Sequence, residues 1–155
     1  MFPELNIPAA KLQLKERKQA DGTVYFVVVD QFRKKELKLT PEEWVRQHCV
    51  HFLMNEKKYP ITLLNEEKKV NVNGMSKRYD IVAYKNNGKV KLVVECKAPS
   101  VQITQTTFDQ IARYNLSLNA DFLMLTNGLN HYFCQMNFKE KTYTFLRDLP
   151  EYSVL

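Results

Sequence analysis

The stretch whose reading decides the fold is Arg78–Lys97, RYDIVAYKNNGKVKLVVECK. Two apolar runs, Tyr79–Tyr84 and Val90–Lys97, flank Lys85-Asn86-Asn87-Gly88-Lys89. Asn-Gly between such runs is the strongest short-range hairpin signal, because both residues tolerate the positive φ of a tight turn. Three polar residues break the apolar pattern: Asp80, Glu95 and Lys97. Side chains alternate along a strand, so Glu95 and Lys97 share a face. A hairpin centred on Asn86-Asn87 brings Asp80 close to Glu95. Two carboxylates and a lysine therefore converge at one end of a hairpin that is otherwise apolar.

Working outward, Thr40-Pro41-Glu42-Glu43 opens a helix. Thr40 suits the N-cap, Pro41 the first helical position, and Glu43 the reciprocal position of a capping box. The helix is predicted to run to about Asn55, with Val45, Cys49, Phe52 and Leu53 as its apolar stripe. Steps of about 100° per residue place Glu42 within that stripe beside Arg46, and Glu43 on the flank. His48 and His51 lack a third ligand nearby and read as packing or surface residues. Ile61–Asn65 reads as a strand and Glu66-Glu67-Lys68-Lys69 as a solvated charged extension. Val70 and Val72 alternate with Asn71 and Asn73, and Gly74 turns into the hairpin. Pro99 closes it, since proline cannot continue a central strand.

A second helix, from about Thr104 to Leu118, buries Phe108, Ile111, Ala112 and Leu118. Gln110 and Tyr114 lie one turn apart on its flank. The nearly all-apolar run Asp121–Thr126 suits a strand covered on both faces, parallel to an earlier strand and reached through the helix. Asn130–Met136 and Thr142–Leu146 form a C-terminal hairpin. Leu12–Leu14 and Val24–Val29 form an N-terminal one, followed by a solvated basic connection at Asp30–Lys35. Residues 1–10 read as a loose arm. The expected fold is α/β: a mixed central sheet flanked by helices, core order αβββαβ within 39–137, N- and C-terminal β-hairpins added, one domain over 1–155.

Across 155 residues the net charge is +6, which mildly favours a polyanionic partner. No run of about 18 apolar residues exists, so no membrane span is expected. Cys49, Cys96 and Cys134 are widely spaced and read as reduced thiols of a cytoplasmic protein.

Two carboxylates on adjacent strands make an all-oxygen site suited to Mg²⁺ or Mn²⁺. Such an ion polarises a phosphoryl oxygen and lowers the pKa of a bound water. Lys97 can stabilise the charge that develops on the phosphate, or position the attacking water. The Cys96 backbone carbonyl, between the two side chains, is a further candidate ligand, and Glu42 can reach the ion through water. A half-exposed strand with an ordinary Glu-X-Lys ion pair is the bland alternative. The apolar Leu92-Val93-Val94, the preceding Asp80 and the helix bearing Gln110 and Tyr114 favour a site.

These residues resemble the PD-(D/E)XK nuclease superfamily, with Tyr79 where that pattern carries proline. They resemble more closely the N-terminal nuclease domain of type I restriction enzyme R subunits, in particular a short stand-alone family named after it. The matching blocks are Leu39–Gln47, Arg78–Val82, Val94–Pro99, Phe108–Asn115 and Leu125–Gly128. The resemblance implies a four-stranded mixed sheet flanked by helices and Mg²⁺-dependent cleavage of DNA phosphodiesters. By matching position it makes Asp80 and Glu95 metal ligands, Lys97 the catalytic lysine, and Glu42 the auxiliary carboxylate, with Glu43 as fallback. Gln110 and Tyr114 match a Gln-X-X-X-Tyr motif tied to DNA handling.

The chain ends at Leu155 with no Gly-X-X-X-X-Gly-Lys-Ser/Thr loop, so sequence-specific restriction by this chain alone is not expected. Three expectations remain: a nuclease acting with a separate targeting or translocase protein or as a homodimer, a structure- or end-directed nuclease, and a non-catalytic nucleic-acid-binding or assembly module.

Overall fold

The computed structural model describes residues 2–72 and 74–153. Its centre is the hairpin of β5 (Met75–Tyr84) and β6 (Val90–Cys96), with Ile81 opposite Val94 and Val82 opposite Val93. The turn closes through Lys85 N–H to Lys89 O at 2.8 Å, and Gly88 takes φ +84°. Around it lie β4 (Leu64–Val72), β7 (Phe122–Thr126), β8 (His131–Asn137) and β9 (Thr142–Leu146). The six strands are ordered β4-β5-β6-β7-β8-β9. The β6–β7 pair is parallel and the other neighbouring pairs are antiparallel. The parallel step requires a crossover, which α2 (Gln105–Asn115) supplies.

Alternation along β6 and β7 feeds two cores. Leu92, Val94, Cys96 and Met124 pack with Val45, Cys49 and Leu53 of α1 (Pro41–Asn55). Val93, Leu123 and Leu125 pack with Phe108 and Ala112 of α2. The core order αβββαβ is the one expected.

The differences lie at the edges. Ile61–Leu63 is a 3-10 turn, and β4 starts at Leu64 and runs through the residues expected to be solvated. Asn73 lies outside the described residues. The N-terminal addition is a three-stranded sheet rather than a hairpin: β1 (Leu14–Lys18), β2 (Val24–Asp30) and β3 (Lys35–Lys38). Buried Asp30 builds the β2–β3 turn, accepting the N–H groups of Phe32 at 2.7 Å and Arg33 at 2.9 Å.

This sheet explains why α1 has two buried faces. Val45, Cys49 and Leu53 face the large sheet, while Gln47 donates to Asp30 at 3.1 Å on the other side. A stripe counted from apolar residues alone cannot find a face buried through polar partners.

The first residues are tied down rather than loose. Trp44 Nε1–H donates to Pro3 O at 2.9 Å, Asn6 N–H to Gly128 O at 2.8 Å, and Leu5 and Ile7 pack on the core. Gly128 has φ +86°, and a Cβ there would lie 2.6 Å from Leu5 Cδ2. Among the described residues no helix is long and apolar enough to cross a membrane.

Candidate active site

The large sheet opens at Asp80. The β5–β6 ladder reaches Ile81–Val94, and the β4–β5 register passes from Glu66–Ile81 to Lys68–Tyr79 without a Glu67–Asp80 pair. Glu67 sits in the left-handed region at φ +50°, an unfavourable conformation for a residue with a Cβ. The Asp80 carboxylate fills the gap: its Oδ2 accepts the Cys96 N–H at 2.7 Å. One residue on, Lys97 N–H donates to Thr126 O at 2.8 Å, so β6 stays anchored to β7 past the opening.

The opening is a cleft of about 400 Å³ lined by Glu42, Glu43, Arg46, Glu67, Arg78, Asp80, Glu95, Cys96 and Lys97, with Thr40 at its edge. Five carboxylates meet three cations there, an acidic spot on a chain of net charge +6. A more apolar pocket of about 250 Å³, lined by Ile7, Phe52, Met124 and Phe133 among others, has no such convergence of acids.

Asp80, Glu95, Cys96, Lys97, Glu42 and Glu43 are thus brought to one cleft, whereas Gln110 is exposed on α2 and outside its lining. Tyr114 reaches the site indirectly: its ring lies 4.7 Å from Lys77 Nζ, which is 2.9 Å from Glu95 Oε1.

The two helical glutamates exchange the burial expected of them. Glu43 is buried and Glu42 exposed at the mouth. Thr40 Oγ1 accepts the Glu43 N–H at 3.0 Å, the cap half of the capping box. The Glu43 carboxylate instead turns to Arg46, whose Nε donates at 2.9 Å, and to Gln47 at 3.1 Å. Arg46 also meets Glu67 at 2.9 Å and lies 3.6 Å from Asp80 Oδ1. Sequence reasoning did not single out Arg46, Glu67 or Lys77 as part of the site. Glu43 and Arg46 stand at i,i+3, a spacing that carries ion pairs, but nothing local links Glu67 to them.

Burial pushes the Asp80 carboxyl up to about 6, with the Glu95 and Glu42 charges adding and the Cys96 N–H and Arg46 opposing. The Cys96 thiol, turned into the core, is pushed up by its hydrogen bond with Cys49 and by burial. Among the described residues no three His, Cys, Asp or Glu side chains form a ready-made metal cage. Of the five carboxylates, Asp80 and Glu95 are the two that would meet an ion, a number that suits Mg²⁺, which takes one or two carboxylates and keeps several waters.

Behind Arg46 lies a second acidic group. Glu66 is buried against Asp30, and Arg33 lies 3.0 Å from Glu66 Oε2 and 2.8 Å from Glu67 Oε2. Burial, then the Asp30 hydrogen bond and charge, raise the Glu66 carboxyl to about 9 against the pull of Arg33. Asp30 is held well below the usual carboxylate range by its hydrogen bonds with Glu66, Arg33, Gln47 and Phe32, which overcome burial. The pair thus keeps one proton where both acids of the unfolded chain are ionised.

The folded state binds the extra Glu66 proton between about pH 4.5 and 9, so this group's contribution to stability falls as pH rises through that window. Glu66→Gln keeps a donor for Asp30 and cannot ionise. Urea midpoints are expected to match wild type near pH 5 and exceed it at pH 9. Parallel pH profiles for the two proteins would contradict the shared proton.

Residues 41–150 match the family model for the N terminus of type I restriction enzyme R proteins. No curated protein matched the chain. Among solved structures, a fragment described as an HsdR subunit of a type I restriction enzyme from Vibrio vulnificus is 20% identical with a TM-score of 0.49, covering 73% of this chain and 24% of that one. The chain therefore spans about a quarter of that structure's length. The family match takes in α1, the β5–β6 hairpin, α2 and the strands that follow, and every cleft residue but Thr40. The chain belongs to the family of type I restriction enzyme R protein N-terminal regions.

Proposed function

We propose that the chain is a Mg²⁺-dependent nuclease module of the PD-(D/E)XK type that hydrolyses DNA phosphodiester bonds, with Mn²⁺ as a substitute ion. The observation that carries this reading is the acidic cleft at the opened end of the hairpin, where Asp80, Glu95, the Cys96 backbone and Lys97 meet in a basic chain. Asp80 and Glu95 would hold the ion, the Cys96 carbonyl would add an oxygen, and Glu42 would reach it through water. A bound divalent ion supplies a Lewis acid for a phosphoryl oxygen and a water of lowered pKa.

The residues of the chain do the rest. Lys97 neutralises negative charge on the phosphate or orients the attacking water. Arg46 and Glu67 brace the Asp80 side of the cleft. The cleft's charges address phosphates and an ion rather than base edges, so a separate targeting or translocase protein is the partner this reading calls for.

The test is incubation of pure protein with linear, supercoiled, single-stranded and branched DNA, with Mg²⁺, Mn²⁺ or chelator, beside calorimetry of ion binding. Ion-dependent cleavage of at least one substrate is expected. Ion binding requires the ionised Asp80, so affinity is expected to be full well above pH 6, to be about halved near it, and to fall by up to about tenfold per unit below it. Salt-sensitive DNA binding with neither ion binding nor cleavage would instead mark a non-catalytic binding module.

A further inference from the structure

One cation beside the cleft, Lys77, has no part in the proposed chemistry. Lys77, two residues before Tyr79 on β5, points to the α2 side of the sheet. Its Nζ lies 2.9 Å from Glu95 Oε1, 4.8 Å from the Tyr79 ring centre and 4.7 Å from that of Tyr114. Two ring faces and a carboxylate thus surround one ammonium, each a favourable partner for a cation. The pair is largely withdrawn from water, with side-chain exposures of 27% for Lys77 and 11% for Glu95. Tyr79 is fully buried with no hydrogen-bond partner for its hydroxyl, and burial, with the Glu95 charge adding, pushes that hydroxyl up. An aromatic wall closed to water therefore stands behind Glu95, and Lys77 is the cation set against it.

We propose that Lys77 is a resident counter-cation of Glu95, caged by Tyr79 and Tyr114, which a divalent ion must displace in order to use that carboxylate. The proposal rests on the metal-dependent reading and deepens it by naming what occupies a ligand before the ion arrives. A divalent ion on Glu95 and the Lys77 ammonium held at its Oε1 repel each other strongly, so ion entry works against the Lys77–Glu95 contact. Asp80 is different in kind: its cation, Arg46, stands 3.6 Å away and is engaged by Glu43 and Glu67, so it need not move. The cage also gives Tyr114 a physical role. The tyrosine on α2 sets how firmly Lys77 is held, and so how readily Glu95 is released. Lys77 and Tyr114 are positioning residues here, since they act on the ion through Glu95.

Titration of Mn²⁺ or Mg²⁺ into the pure protein without nucleic acid tests this directly. Lys77→Met is expected to bind the ion about tenfold more tightly than wild type, the effect of removing one close opposing charge. Tyr114→Leu is expected to shift affinity in the same direction by less. A purely structural role for Lys77 predicts weaker binding or none of this gain. In wild type, the Lys77 ε-methylene protons are expected upfield between the two rings, and to move downfield as Mg²⁺ saturates the site. This arm needs no variant to fold.

Unchanged or weaker ion affinity in a folded Lys77→Met protein overturns the proposal, as do ε-methylene signals indifferent to bound Mg²⁺. Failure of both wild type and Lys77→Met to bind any divalent ion overturns the metal-dependent reading and this proposal with it. Ordinary ion binding in wild type that Lys77→Met leaves unaltered overturns this proposal alone.

Discussion

Lys97→Met is expected to lower the rate of DNA cleavage by about 10²–10³-fold, the usual effect of removing one group placed against charge developing in a transition state. The backbone at Lys97 is fixed by its hydrogen bond to Thr126 O at 2.8 Å, and alternation along β6 directs the side chain to the Glu95 face. Methionine keeps the length of the stem and removes only the charge. Lys97 is not among the groups that would hold the ion, so calorimetric Mg²⁺ affinity should stay within a few-fold of wild type, with the loss falling on kcat rather than KM. The contrasting variant is Asp80→Asn. Its amide oxygen can still accept the Cys96 N–H, a bond of 2.7 Å to a nearly fully buried residue, so the fold should survive. Its ion binding should not. Asp80→Ala is the poorer choice, because it strands that N–H at a cost of about 1–3 kcal/mol and mixes folding with chemistry. Cleavage undiminished by Lys97→Met would remove Lys97 from the mechanism.

Much of this architecture is legible from local chemistry. Gly88 in its turn, Thr40 at its cap and the apolar run of β7 each impose structure through their own bonding or shape. The register is not the one centred on Asn86-Asn87: pairing shifts between Ala83 and Tyr84, and Ile81 stands opposite Val94, which carries Asp80 toward Glu95. What could not be read is what depends on distant polar partners. Glu66 and Glu67 carry the signature of a solvated stretch and are held instead by Arg33 and Arg46, from the β2–β3 turn and from α1. Glu43 carries the signature of a capping residue and becomes buried because Arg46 and the N-terminal sheet lie beside it. Lys77 lies in a run of polar residues with no hint that α2 brings Tyr114 over it. Hydrophobic periodicity reports faces buried through apolar contact; it is blind to a face buried through ion pairs.

That blindness matters most at Arg46, whose replacement by alanine is expected to destabilise the protein by about 3–5 kcal/mol, the range for breaking a buried ion pair by removing one partner. Its side chain is 9% exposed and engages three carboxylates on three elements: Glu43 on α1, Glu67 on β4 and Asp80 on β5. Without it Glu43, 5% exposed, retains Gln47 and a guanidinium of Arg33 3.9 Å away. Glu67 is left with Arg33, 2.8 Å from its Oε2. Arg46→Lys should recover only part of the loss, since an ammonium cannot repeat the two-pronged contact with Glu43. The cost should shrink as pH is lowered, because carboxylates left without their guanidinium can be neutralised by protonation. Urea unfolding of wild type and both variants across pH measures all of this. A loss below about 1 kcal/mol for Arg46→Ala would mean that water reaches these charges as it does an ordinary surface pair. The consequence would extend to the cleft, since Arg46 is also the cation that limits how far the Asp80 carboxyl is pushed up by its burial and its acidic neighbours. Arg46→Ala should therefore move the pH threshold of ion binding upward as well as weaken the fold, a pairing of effects that a residue serving packing alone would not produce.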